Sequence, residues 1–167
     1  GNFGEAIKLL REKGLASAAK KADRIAAEGV VSILVDEKTK TAAMIEVNSE
    51  TDFVAKNQSF RDFVNDILKT ILENKPADVA ELLTCKYLDT DVTVEAELKN
   101  KIFTIGENLT IRRFVIVEGD MSTYIHGGGA AGVIVTFDAE PAAAANEGFA
   151  EVTKNVALQV AAMNCQY

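Results

Sequence analysis

The chain has 167 residues, 48% of them hydrophobic and 26% charged, with a formal net charge of −7 and only two prolines. That size and apolar content provide a real core for one domain or two small ones, and exclude bulk disorder. The acidic balance argues against a nucleic-acid groove, which needs a lysine- and arginine-rich face, and no apolar run approaches the ~20 residues that span a bilayer.

No signal peptide is expected before the first helix. The two cysteines, Cys85 and Cys165, lie far apart and form neither a disulfide framework nor a zinc spacing. A reducing, cytoplasmic setting is therefore the expectation.

In chain order, Phe3, Ile7 and Leu10 fall on one face of a helix that Gly14 is expected to stop. Residues 15–27, rich in Ala and Lys, read as a second helix ended by Gly29. Basic residues between 8 and 21, like Arg112 and Arg113, read as solvated faces. Residues 30–36 and 41–47 are strand-like runs joined by the polar turn Glu37-Lys38-Thr39-Lys40, which predicts an antiparallel hairpin. Phe60, Phe63, Val64, Ile67, Leu68, Ile71 and Leu72 carry the strongest helical period in the chain and predict the helix that covers the hairpin.

Pro76 opens a short helical piece running through Leu83. Thr93 can cap a further helix with Val94, Leu98, Ile102 and Ile105 on one face. Residues 109–118 read as a strand with Ile111, Val115 and Val117 on one side. Residues 123–129 and 132–138 predict a second hairpin with a glycine-rich turn. Pro141 then precedes an alanine-rich helix whose stripe is Phe149, Val152, Val156 and Met163. The pattern is an α+β fold of two structural repeats, each an antiparallel hairpin plus covering helices, the second lacking a closing strand. The expected divisions are 1–27, N-terminal helices; 28–119, first core repeat; and 120–167, second core repeat. A sheet without its last strand has an unpaired edge, which offers a route to a homodimer.

The run Glu46-Val47-Asn48-Ser49-Glu50-Thr51-Asp52-Phe53-Val54 ends a strand at a polar turn where the next helix begins. One reading is local: Asp52 caps the helix and Phe53 staples it to the core. The other is functional: the pair presents one charge and one apolar wedge to a partner, as loops between rigid elements commonly do.

The wider context resembles the elongation factor Ts family. The carriers are Ala26-Ala27-Glu28-Gly29-Val30, then Ile45-Glu46-Val47-Asn48-Ser49-Glu50-Thr51-Asp52-Phe53-Val54-Ala55-Lys56-Asn57. Three other segments follow the family order: Leu10-Arg11-Glu12-Lys13-Gly14, Ile105-Gly106-Glu107-Asn108-Leu109-Thr110-Ile111-Arg112-Arg113, and Tyr124-Ile125-His126-Gly127. The resemblance implies a fragment. Only the last helix of the family's N-terminal ubiquitin-associated-like domain has a counterpart, and its helical hairpin and final strand have none.

The resemblance also implies a guanine-nucleotide exchange factor in translation elongation, with elongation factor Tu as GTPase partner. It carries Thr51, Asp52, Phe53 and Val54 onto the motif that enters the GTPase near its magnesium site. It carries Ile105 and Gly106 onto a contact of the first repeat, and His126 and Gly127 onto a contact of the second. Ile105 equally completes a helix face, and His126 equally supports a turn. No cofactor is implied, and both bacterial and organellar origins fit.

Enzymatic readings lack companions. His126-Gly127-Gly128-Gly129 matches the oxyanion loop of lipases, but there is no Gly-x-Ser-x-Gly elbow and no second histidine for a triad. Nothing local lowers the pKa of either thiol, no phosphate-binding loop or dinucleotide fingerprint occurs, and the acids lack a calcium-loop spacing. Besides nucleotide exchange, the alternative is a non-catalytic scaffold that assembles with itself.

Overall fold

In a computed structural model, residues 2–163 are described, apart from the side chains of Phe3 and Ile7. The expectations for those two side chains, for Cys165 and for the end of the chain lie outside the described residues. The elements are α1 (Phe3–Lys21), β1 (Glu28–Asp36), β2 (Thr41–Ser49), α2 (Asp52–Ala55), α3 (Gln58–Asn74), α4 (Val79–Thr84), α5 (Val94–Ile105), β3 (Thr110–Glu118), β4 (Asp120–His126), β5 (Ala131–Phe137), α6 (Pro141–Ala144) and α7 (Phe149–Met163). The fold is α+β, with two antiparallel sheets ordered β1-β2-β3 and β4-β5.

The hairpin β1–β2 pairs Val30 with Val47 and Asp36 with Thr41, around the expected polar turn. α3 covers one face of it, as its apolar period predicts. Phe60, Phe63, Val64, Ile67, Leu68 and Ile71 are sealed against Val30, Ala43, Ile45, Val47 and Ile111. Each such side chain contributes about 1.5–3 kcal/mol on burial, so this face anchors the whole first sheet. Thr93 caps α5 as expected, its hydroxyl accepting from the Ala96 N–H at 3.2 Å.

Four expectations are corrected. Gly14 does not end the first helix: α1 runs unbroken to Lys21, and Gly14 and Ala18 are buried on that helix. A Cβ on Gly14 would lie 3.8 Å from the Lys99 carbonyl, so the small residue sits in the seam with α5. Packing there outweighs the ~1 kcal/mol propensity cost of an interior glycine. The short helix begins at Val79, capped by the Asp78 carboxylate, and not at Pro76.

On β3 the inward side chains are Ile111, Phe114 and Ile116, while Val115 is 43% exposed. A register shift causes this: Glu46 faces Arg113 but Val47 faces Ile111, leaving Arg112 as an extra residue. A bulge of one residue reverses the alternation beyond it. Arg112 and Arg113 consequently both reach Glu46, at 3.6 and 2.8 Å.

On α7 the buried positions are Thr153 and Ala157, with Phe149 meeting Phe137 edge to face at 6.0 Å. Val152 and Met163 are 60% and 66% exposed. The helix packs on β4 and β5, and a two-stranded ribbon offers a narrow face that small side chains fit.

The second hairpin rests on the first sheet. Gly129 O accepts from the Val31 N–H at 2.8 Å, and Gly132 lies over Val31 and Met44. Val31 and Met44 point away from α3, so the two hairpins meet on the sheet's second face.

Candidate functional site

β2 ends at Ser49, whose buried hydroxyl donates to the Thr51 carbonyl at 3.0 Å and turns the chain. Thr51 is the cap of α2, and Asp52 is the first helical residue. The Thr51 hydroxyl accepts from the Val54 N–H at 3.4 Å and donates to Glu107 Oε1 at 2.6 Å. Glu107 Oε2 accepts from the backbone N–H groups of Glu50 and Thr51, both at 3.1 Å. In return, Glu50 Oε1 accepts from the Asn108 N–H at 2.6 Å. The loop after α5 thus grips the corner through two carboxylates, each satisfying backbone donors that would otherwise be orphaned.

This overturns the local reading of the corner. Asp52 does not cap, and Phe53 does not staple: the residue is 82% exposed. Val54 is the residue that turns inward and packs on the core. Asp52 is half-exposed and pairs with Lys56 one turn later at 2.6 Å. The hydrogen bond and charge of Lys56 hold its carboxyl below the ordinary value.

Ile105 is half-buried against the core, and Gly106 ends α5 in the left-handed region at φ 90°, with open space where a Cβ would stand. Glu107 is what ties this pair to the corner. His126 closes β4, exposed, with the Tyr124 hydroxyl 3.1 Å from its Nδ1 and the two rings 5.9 Å apart. Its carbonyl accepts from the Gly129 and Ala130 N–H groups, and Gly127, Gly128 and Gly129 all have positive φ. Only glycine takes three such positions in succession without strain.

A cleft of about 410 Å3 joins the two regions, with Asp52, Lys56 and Arg61 on one wall and residues 127–130 on the other. The cleft brings Asp52 and Gly127 to one site, and Glu107 ties the Ile105-Gly106 turn to the same corner. Glu107, Arg61 and Tyr124 had no role in the sequence reading, although Glu107 and Tyr124 stand within the segments that carried the resemblance. Among the described residues no cluster of His, Cys, Asp or Glu could hold a metal ion, and no helix is long and apolar enough to cross a membrane. Cys85 is a free thiol whose pKa is raised by burial and by Glu81.

An α+β protein of two antiparallel sheets, with the most exposed aromatic side chain among the described residues on a braced corner between strand and helix, is the class that this geometry defines. The family model described as Elongation factor TS matches residues 50–167. An elongation factor Ts of Clostridioides difficile (strain 630) is 47% identical over 169 residues, covering 100% of this chain and 54% of its own length. That of Syntrophotalea carbinolica is 45% identical over 170 residues, covering 100% and 55%. That of Streptococcus mutans serotype c is 48% identical over 168 residues, covering 98% and 46%. The chain belongs to the elongation factor TS family, and spans about half the length of the curated relatives it matches.

Proposed function

We propose that this chain is a guanine-nucleotide exchange factor of translation elongation, binding elongation factor Tu and promoting GDP release by disturbing its magnesium site. The single observation that carries the reading is the 82% exposure of Phe53 on a corner whose backbone is fixed by Glu107. An apolar side chain presented to water from a braced backbone has a use when a partner buries it. Phe53 is the wedge, and Asp52 beside it perturbs the polar network around the partner's magnesium. Thr51 and Val54 hold the corner in shape. Ile105, Gly106, His126 and Gly127 supply further contact.

Exchange is linkage: a factor that binds the nucleotide-free GTPase more tightly must weaken nucleotide by the same factor. A ten-thousandfold faster release needs about 5.5 kcal/mol. Burying one phenylalanine supplies about 1.5–3 kcal/mol, so the corner needs the second contact as well. Loss of magnesium leaves the phosphate charge uncompensated, and nucleotide departs.

The test is stopped-flow release of fluorescent GDP from elongation factor Tu. The wild-type chain should accelerate it, and Phe53→Ala should lose about ten- to a hundredfold of that acceleration. An unchanged rate with binding intact refutes the wedge. Self-association is a second reading, favoured by the exposed Val152 and Met163 on α7. Concentration-dependent sedimentation, with and without the GTPase, separates the two.

A further inference from the structure

We propose that Arg61 is a positioning residue that sets the spacing between the Asp52-Phe53 corner and the His126 loop. The inference rests on the exchange-factor reading, in which both regions meet one partner. Arg61 Nε donates to the Ala55 carbonyl at 3.0 Å, and its Nη2 donates to the Gly128 carbonyl at 2.7 Å. Ala55 ends α2, two residues beyond Phe53, and Gly128 lies two residues beyond His126. One side chain on α3 therefore holds the last carbonyl of the corner helix and the middle of the glycine turn.

The chemistry suits a spacer. A guanidinium is a rigid planar fork, so its two donors keep a fixed relation that a lysine ammonium on a flexible stem does not. Among the described residues its hydrogen bonds run to these carbonyls, although Asp52, Glu46 and Glu28 line the same cleft. A full positive charge is thus committed to two neutral carbonyls, which fixes geometry across the two sheets.

The loop has a second tether, the Val31 N–H to Gly129 O bond at 2.8 Å. That bond ties it to β1, and among the described residues the side chain that hydrogen-bonds both the loop and α2 is Arg61. Without Arg61 the hairpin stays docked, and the distance from His126 to Phe53 is set only indirectly, through β1, which packs against α2. Small misplacements of positioning groups can cost rate heavily.

The test measures fluorescent GDP release from elongation factor Tu against concentration of the chain, giving a limiting rate and a half-saturating concentration. Arg61→Ala should lower the limiting rate about tenfold and move the half-saturating concentration less than about threefold. Arg61→Lys should recover only part of the rate, since an ammonium on a flexible stem does not hold the two carbonyls in a fixed relation. Arg61→Gln, which keeps a polar stem, is read in its place if circular dichroism shows Arg61→Ala unfolded.

Because the residue acts through the loop, His126→Ala should cost less in the Arg61→Ala background than alone. An unchanged limiting rate, simple additivity of the two effects, full recovery by lysine or a silent His126→Ala overturns the proposal. A wild-type chain that fails to accelerate release defeats the functional reading itself, and is seen before any variant is compared.

Discussion

Glu107 and Thr51, 56 residues apart in sequence, are joined by two hydrogen bonds: the carboxylate accepts from the Thr51 backbone N–H at 3.1 Å and from its hydroxyl at 2.6 Å. The same hydroxyl accepts from Val54 N–H, so one oxygen both caps α2 and fastens it to the loop after α5. Removing the acceptor strands two backbone N–H groups and a hydroxyl. Glu107→Ala is expected to cost about 2–4 kcal/mol, and Thr51→Val about 1–2 kcal/mol, in urea unfolding. A loss below a few tenths in Glu107→Ala would show that the corner is held by something else.

Phe53 and Val54 are neighbours with opposite environments, and they should separate stability from function. Phe53→Ala is expected to leave the unfolding midpoint within about 0.5 kcal/mol of wild type, because its ring touches little. Val54→Ala should cost about 1–2 kcal/mol, because it removes a methyl pair packed on the core. Urea melts of both variants check this, and equal losses would contradict the outward ring.

Gly129 and Gly106 both have positive φ, yet they should respond differently to alanine. A Cβ on Gly129 would stand 2.2 Å from Val30 Cγ2, whereas one on Gly106 meets nothing within 4 Å. Gly106→Ala should cost about 1–2 kcal/mol of backbone strain alone. Gly129→Ala should cost that plus an overpacking penalty of about 1–3 kcal/mol, and should free the second hairpin from β1. Amide exchange at Val31, whose N–H is bonded to Gly129, reads the release directly.

Tyr87 should set an alkaline limit. Burial, and then the hydrogen bond to Asp66 at 3.0 Å, push its phenol above its ordinary value of 10.0. The unfolded chain therefore loses this proton at lower pH than the folded chain does. Stability from this group is complete below pH 10.0 and declines as pH rises beyond it. Tyr87→Phe should flatten that decline in unfolding measured from pH 8 to 11, and an unchanged slope would place the cause elsewhere.

Periodicity made much of the fold legible. The sealed stripe of α3, the two hairpins with their turns, and the Thr93 cap follow from local chemistry, because each depends on residues within a turn or two. The corner was legible as a place, since a strand stopped and a helix began there. Its composition could not say whether Phe53 went in or out: one turn of helix is too short for a period, and Val54 competes for the same inward position.

What the amino-acid order determined was most of the secondary structure and the position of the acid–aromatic pair. Tertiary structure decided which side chains faced water. The bulge at Arg112 arises only when β3 is matched against β2, and it reversed the faces predicted from alternation. Gly14 remains helical because α5 covers it, and the exposed stripe of α7 reflects the narrow ribbon beneath. The grips of Glu107 on Thr51 and of Arg61 on Gly128 join residues 56 and 67 positions apart. Such bonds form only after distant segments are brought together, so no local pattern in the chain can announce them.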